Sequence, residues 1–140
     1  MEKLPDRGIY LLLVYLSRDE NLCVGALGEI SFKAGYYVYV GSAQRYLRKR
    51  IERHVRRNKR IKWHIDYLLS QACVIDILAY SWSKEWEERI ARMLAERYPY
   101  VVGFGCSDSN APSHLFYLPN KEEWEKIKKL CEELNISRAY

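Results

Sequence analysis

The chain has no apolar run approaching the roughly 20 residues that cross a bilayer, so no transmembrane helix is expected. Residues 1–7 are charged and contain no apolar stretch ending in a small-residue cleavage site, so no signal peptide is expected either. There is no CxxC pair. The four cysteines, Cys23, Cys73, Cys106 and Cys131, are scattered along the chain. Cys23 and Cys73 fall in strand-like runs, where small buried thiols are common. Without a secretory signal the cysteines are expected to be reduced, in a cytoplasmic protein. Internal repeats and low-complexity linkers are also missing. The 140 residues therefore read as one domain with one core.

Positive charge is plentiful and unevenly placed. Lys and Arg number 23 against 18 Asp and Glu, a net charge of +5. Ten of those cations fall within residues 44–62, beside one acid, Glu52. The rest of the chain is acidic, with 13 basic and 17 acidic residues. Like charges at i,i+4 destabilise a helix unless something neutralises them. A solubilising face rarely needs such density, whereas a polyanion would neutralise it, with salt-sensitive affinity.

Hydrophobic periodicity supplies the elements. Residues 8–16 form a continuous apolar run and read as a central strand. Short strands follow around Gly28, and residues 36–40 form a second clear strand. Residues 46–57 read as a helix with Leu47, Ile51 and Val55 on one stripe. Residues 63–69 read as a second helix and 73–82 as a third major strand. Ser83 is placed to cap a helix reaching residue 97, with Trp86, Ile90, Met93 and Leu94 inward. A Gly- and Ser-containing loop, a short strand at 114–118 and a last helix at about 121–135 complete the chain. The fold class is α+β, a small and mostly antiparallel sheet with flanking helices.

Four features stand in a fixed order. Gly8-Ile9-Tyr10 opens the first strand, and Tyr39-Val40-Gly41 closes the strand after the hairpin. A basic helix with Arg50 and His54 follows, and Glu87 lies on a later helix. This set resembles the GIY-YIG nuclease superfamily: the first triplet matches letter for letter, and the second has Val for Ile. The resemblance covers residues 8–118. It looks closest to an uncharacterised, mostly archaeal branch, through residues 39–43, Trp63-His64-Ile65-Asp66-Tyr67-Leu68, Ser107-Asp108 and Ser113-His114-Leu115-Phe116. It implies a three-stranded core sheet and metal-dependent hydrolysis of nucleic acid, DNA foremost, in repair or in processing of branched, damaged or foreign DNA. By that resemblance Tyr10 activates water, Tyr39 assists, Arg50 stabilises the phosphate and Glu87 holds Mg²⁺ or Mn²⁺. His54 matches a histidine that some members place at the site. The asparagine that many members carry after the glutamate has no clear counterpart here.

The residue types suit that chemistry independently. Phosphodiester hydrolysis needs an activated water, a cation on the developing charge and help for the leaving oxygen. A phenol with a resting pKa of about 10 needs neighbouring cations before it can act as a base. Helical geometry chooses among neighbours. With Leu47 at 0°, His54 falls at about 340° and Arg50 at about 300°, at the edge of the apolar stripe. Arg53, at about 240°, points further toward solvent. Arg53, Arg56 and Arg57 are thus the better candidates for phosphate contacts, joined by Arg45, Arg48 and Lys62 of the basic segment, with His64 beside them. Lys62 and Asp66, at i,i+4, are also spaced to pair with each other. On the later helix, Glu87 lies beside the apolar stripe and Glu88 on the outer face.

Plainer roles compete with these. A strand tyrosine is usually packing, a helical glutamate is usually solvated, and His54 could be a core histidine bonded to a carbonyl. Cys106, Asp108 and His114 have the donor types for zinc. Relatives carry cysteines where this chain has Ser109 and Ala111, so zinc is not expected. Two other functions fit the same sequence. One is a non-catalytic nucleic-acid-binding module on the same scaffold. The other is an interaction protein whose basic helix meets an acidic protein. With no separate targeting domain in view, specificity is expected to come from a protein partner.

Overall fold

In the computed structural model, which describes residues 4–106 and 109–138, the first strand is buried at every position but Tyr15. In chain order the elements are β1 (Gly8–Leu16), β2 (Glu20–Cys23), a 3₁₀ turn (Gly25–Leu27), β3 (Glu29–Phe32) and β4 (Gly35–Ala43). Then come α1 (Leu47–Val55), α2 (His64–Leu69), β5 (Cys73–Tyr80), α3 (Glu85–Ala95), β6 (Leu115–Leu118) and α4 (Glu122–Arg138). Four strands form an antiparallel sheet in the order β5-β1-β4-β6, and β2 and β3 form a separate hairpin.

The continuous apolar run of β1 follows from its central place, covered on both faces. Tyr10, Leu12, Val14 and Leu16 face α1, α2 and the hairpin, packing with Leu47, Ile51, Leu68 and Phe32. Ile9, Leu11 and Leu13 face α3 and α4, packing with Ile90, Leu94, Trp124 and Ile127. Each fully buried large side chain contributes roughly 1.5–3 kcal/mol.

The sheet differs from the three-stranded core expected. β6 is its fourth strand, pairing with β4 from Tyr36↔Leu118 to Tyr39↔Leu115. A local pattern signals a strand but not its partner, which explains the miscount. β6 is also short. One further bond, from the Val40 amide to the His114 carbonyl (2.9 Å), continues the pairing. Beyond it, residues 41–43 of β4 have β1 on one side and, among the described residues, no strand on the other. The sheet is open there, and side chains from its two faces can meet.

Other boundaries moved for local reasons. α1 is shorter than expected, because Arg56 is already extended (φ −67°, ψ 132°). Ser83 does not cap α3. The capping position is Lys84, and the Ser83 hydroxyl donates to Glu85 instead. Glu85, Glu87 and Glu88 crowd the first turn of α3, where the helix dipole favours carboxylates. Cys23 and Cys73 are exposed rather than buried, since one lies on the outlying hairpin and the other on an edge strand. Only Cys131 is buried. No helix of the described residues is long and apolar enough to cross a membrane.

Candidate active site

The open end of the sheet is a cleft of about 380 Å³ lined by Tyr10, Tyr39, Arg50 and Glu87 together. Register accounts for the two tyrosines. Tyr10 pairs with Gly41, and Tyr39 lies two residues earlier on β4, on the same face. The Tyr10 ring lies over Gly41, where any Cβ would collide with the phenol end of the ring. Glycine at 41 is therefore a packing requirement of Tyr10. Glu87 arrives from α3, which covers the opposite face of the sheet. It reaches the cleft past the unpaired end of β4. There the Ser42 hydroxyl donates to Glu87 Oε1 at 2.9 Å, and His114 Nδ1 lies 3.6 Å from Oε2. Arg50 is fixed from two directions. Its Nη1 donates to the Ser42 carbonyl at 3.0 Å, and its guanidinium lies 4.5 Å from the centre of the Trp63 ring.

His54 does not line the cleft. It is buried behind Tyr10, with Nε2 2.8 Å from the Tyr10 hydroxyl and no described partner for Nδ1. It bonds no carbonyl, so it acts on the cleft only through Tyr10. Burial pushes the Tyr10 hydroxyl above its ordinary pKa, and the Arg50 guanidinium pulls it back in part. Tyr39 is raised by burial too, and further by Tyr10 and Glu87. Burial pushes the His54 imidazole down to about 3; Asp66 lifts it, while Lys59, Arg50 and Arg53 add to the fall. At neutral pH both members of the Tyr10–His54 pair are therefore uncharged.

The depressed His54 pKa makes stability depend on pH. Between its ordinary 6.5 and about 3, the unfolded chain holds a proton on this imidazole that the folded chain does not. Unfolding then takes up a proton, so stability falls as pH falls through that window. The wild type is expected to lose a few kcal/mol between pH 7 and 4 in urea titrations, and His54→Gln to lose clearly less. Parallel pH profiles for the two proteins would show that His54 does not carry the effect.

The remaining basic candidates divide. Arg45 lines the cleft, and Arg48 lies outside it in a neighbouring hollow. Arg56 is exposed. Arg53 is turned inward, contrary to its place on the helical wheel. Both its terminal nitrogens bond the fully buried Asp66 carboxylate, at 3.0 and 2.9 Å. The long side chain reaches from the flank of α1 under Trp63 to α2. Lys62 and Asp66 do not pair through their side chains. Asp66 accepts the Lys62 and Trp63 amides, and Lys62 Nζ lies over the Trp63 ring at 4.6 Å. Arg57 donates to the Ala72 carbonyl at 3.1 Å. His64 Nδ1 accepts the Gly105 amide at 2.8 Å, which ties α2 to the loop beside the cleft.

The match to the family described as Domain of unknown function DUF123 spans residues 9–136. The chain belongs to that family. No curated protein and no solved structure matches it.

Within this DUF123 member, several cleft residues were given no role beside Tyr10 and Glu87 by the sequence. Trp63 is one: Arg50, Arg53 and Lys62 gather around its ring, and cations favour such faces. Ser42 and Lys84 also line the cleft, with Gly105, Ser109 and His114 from the long loop. The loop is pinned to α3 by Glu88, which accepts the Asn110 amide at 2.8 Å and pairs with Arg92. Glu88, expected on the outer face, thus has a structural partner. His114 is buried and lies 3.0 Å through Nδ1 from the Val40 carbonyl. Such a bond places a proton on Nδ1, and Nε2 has no described partner. Cys106 instead contacts the Phe104 carbonyl at 3.4 Å. Asp108, the third zinc candidate and possible turn cap of the sequence, lies outside the described residues. Among the described residues no three His, Cys, Asp or Glu side chains gather to hold a metal.

Proposed function

We propose that this protein is a divalent-metal-dependent endonuclease of the GIY-YIG kind, hydrolysing phosphodiester bonds in nucleic acid, DNA foremost. The observation that carries the reading is the shared cleft: two phenols, one guanidinium and one carboxylate, from β1, β4, α1 and α3, border the same 380 Å³. These are the residues to which the sequence resemblance gives roles.

The donor set fits a hard cation better than zinc. Mg²⁺ keeps several waters and needs only one or two carboxylates, the rest of its shell coming from water and substrate phosphate. Glu87 accepts one hydrogen bond from Ser42 and retains lone pairs for such an ion. Glu87 would hold Mg²⁺ or Mn²⁺; when bound, the ion supplies positive charge against the developing oxyanion and lowers the pKa of its water. Arg50, already oriented by Ser42 and Trp63, binds the scissile phosphate and takes up negative charge as it develops. Tyr10 orients the attacking water and accepts its proton while passing its own phenol proton to His54 Nε2. The neutral state of His54 keeps that nitrogen ready to accept. The relay leaves Tyr10 a neutral phenol and puts positive charge on His54, which burial makes costly, so it is confined to the loaded site, where the Arg50 guanidinium offsets the negative charge left on the attacking oxygen. Tyr39, whose hydroxyl has no hydrogen-bond partner among the described residues, positions the same water or the phosphate.

One observation favours the binding module without catalysis: among the described residues lining the cleft, Glu87 is the lone carboxylate. Incubation with labelled linear, branched and single-stranded substrates separates the readings. Mg²⁺ or Mn²⁺ is expected to support cutting, and removal by chelator to abolish it while binding persists. Binding with no cutting under any of these conditions would leave only the module.

A further inference from the structure

The cleft does not end at Arg50 and Glu87. Past Ala43, Gln44 and Lys84 it adjoins a hollow of about 460 Å³ that Arg7 also lines. That hollow meets, at Ser81, another of about 720 Å³ lined by Tyr46, Arg48 and Lys49. Together they make one track along the molecule. Among the described residues six cations border it, Arg7, Arg45, Arg48, Lys49, Arg50 and Lys84, against two carboxylates, Glu87 and Asp6. None of the six forms an ion pair among the described residues.

Tyr46, in the far hollow, is anomalous for the fold. Among the described residues it is the one non-glycine with positive φ, at 60°. It occupies the capping position of α1 and makes no capping hydrogen bond, where Ser, Thr, Asp or Asn would. It is also 59 % exposed, so packing does not repay the strained backbone. Lys49 Nζ lies over one face of its ring, 5.3 Å from the centre, which sets a charge for a phosphate across the ring from the face a base would use.

We propose that this track holds a single-stranded flank of the substrate, its phosphates on the cations and one unstacked base on Tyr46. A base inside a duplex is already stacked and cannot use the ring. A strand leaving a branch or a frayed end can, and stacking on an aromatic is tolerant of sequence. The inference rests on the nuclease reading only in that it needs nucleic acid to occupy the cleft. It adds a preference for substrates with a single-stranded arm.

The test is fluorescence anisotropy in chelator, so that binding is read without cutting. The probes are a blunt duplex and the same duplex with a single-stranded arm, as DNA and as RNA. Wild type is expected to bind the armed duplex at least fivefold more tightly than the blunt one. Tyr46→Gly suits the positive φ, so it is expected to melt no lower than wild type while losing that ratio. Tyr46→Phe is expected to keep it. Arg48→Gln with Lys49→Gln is expected to lower the slope of log affinity against log salt by about 1.4 for the armed substrate, two phosphate contacts at roughly 0.7 each. The proposal is overturned if Tyr46→Gly keeps the wild-type ratio, or if wild type shows no preference for the arm. It is equally overturned if polyglutamate displaces the oligonucleotide as well as single-stranded DNA does, which would make the track a surface for acidic polymers. Blunt duplex bound with no arm preference, and cut once Mg²⁺ is added back, would sink this inference and leave the nuclease reading standing. Absence of binding to any of the probes would sink both.

Discussion

Glu87→Gln is expected to slow strand cutting by about 10²–10³-fold while changing affinity for uncut substrate less than about threefold. Glutamine keeps the size of the side chain and an acceptor for the Ser42 hydroxyl, so the geometry around β4 should survive. What it removes is the only carboxylate charge lining the cleft among the described residues. If that charge holds the divalent ion, the loss falls on the chemical step and less on binding, which is spread over the surrounding cations. Rates at saturating substrate, with metal titrated over a wide range, make the check. A Glu87→Gln protein that cuts within tenfold of wild type would remove the metal-binding role from this residue.

Asp66→Ala is expected to destabilise the fold by about 3–5 kcal/mol, the cost of stranding a buried charge. The carboxylate is fully buried and satisfies three groups: the Arg53 guanidinium through two bonds, and the Lys62 and Trp63 amides. Removing it leaves Arg53 uncompensated and the first turn of the six-residue α2 uncapped. The melting temperature should fall by about 10 °C or more for a domain of this size. Arg53→Met combined with Asp66→Leu should recover part of the loss, because it removes both charges. The recovery should be incomplete, since the two amides still lack an acceptor. The pH dependence has a definite sign. Burial alone would raise the Asp66 pKa, but Arg53 and the Trp63 and Lys62 amides outweigh it and hold the carboxyl below its ordinary 3.8. The stabilisation is therefore present above that value and lost as pH falls through the lower folded-state pKa. The consequence reaches the cleft, because Trp63, which carries Arg50, packs on this pair.

Much of the frame was readable residue by residue. β1 and β4 announced themselves as apolar runs because both are covered on two faces, so nothing polar interrupts them. The stripe of Leu47 and Ile51 placed α1, and the same wheel set Arg50 and His54 at its inner edge. It also chose Glu87 over Glu88 for the cleft. The wheel failed for Arg53, because angular position describes where Cα points and not where a long side chain ends. It could not distinguish His54 in the cleft from His54 behind Tyr10. It had no means to show Trp63, Ser42 or His114 as neighbours of the site, because each owes its place to a strand or helix distant in sequence. The buried cysteines expected at 23 and 73 failed for a related reason: a strand pattern does not say whether the strand is central or at an edge.

The sequence by itself determined the α+β class, most of the elements, the basic segment and a short set of candidate site residues. Local periodicity and side-chain type are written into each segment, so these needed no knowledge of the rest of the chain. The tertiary structure alone decided that Glu87, from a helix on one face of the sheet, meets Tyr10 and Tyr39 from the other. That meeting depends on β6 pairing with only part of β4, which leaves the end of the sheet open. Where a strand stops finding partners is a property of the whole packing, and no single segment encodes it.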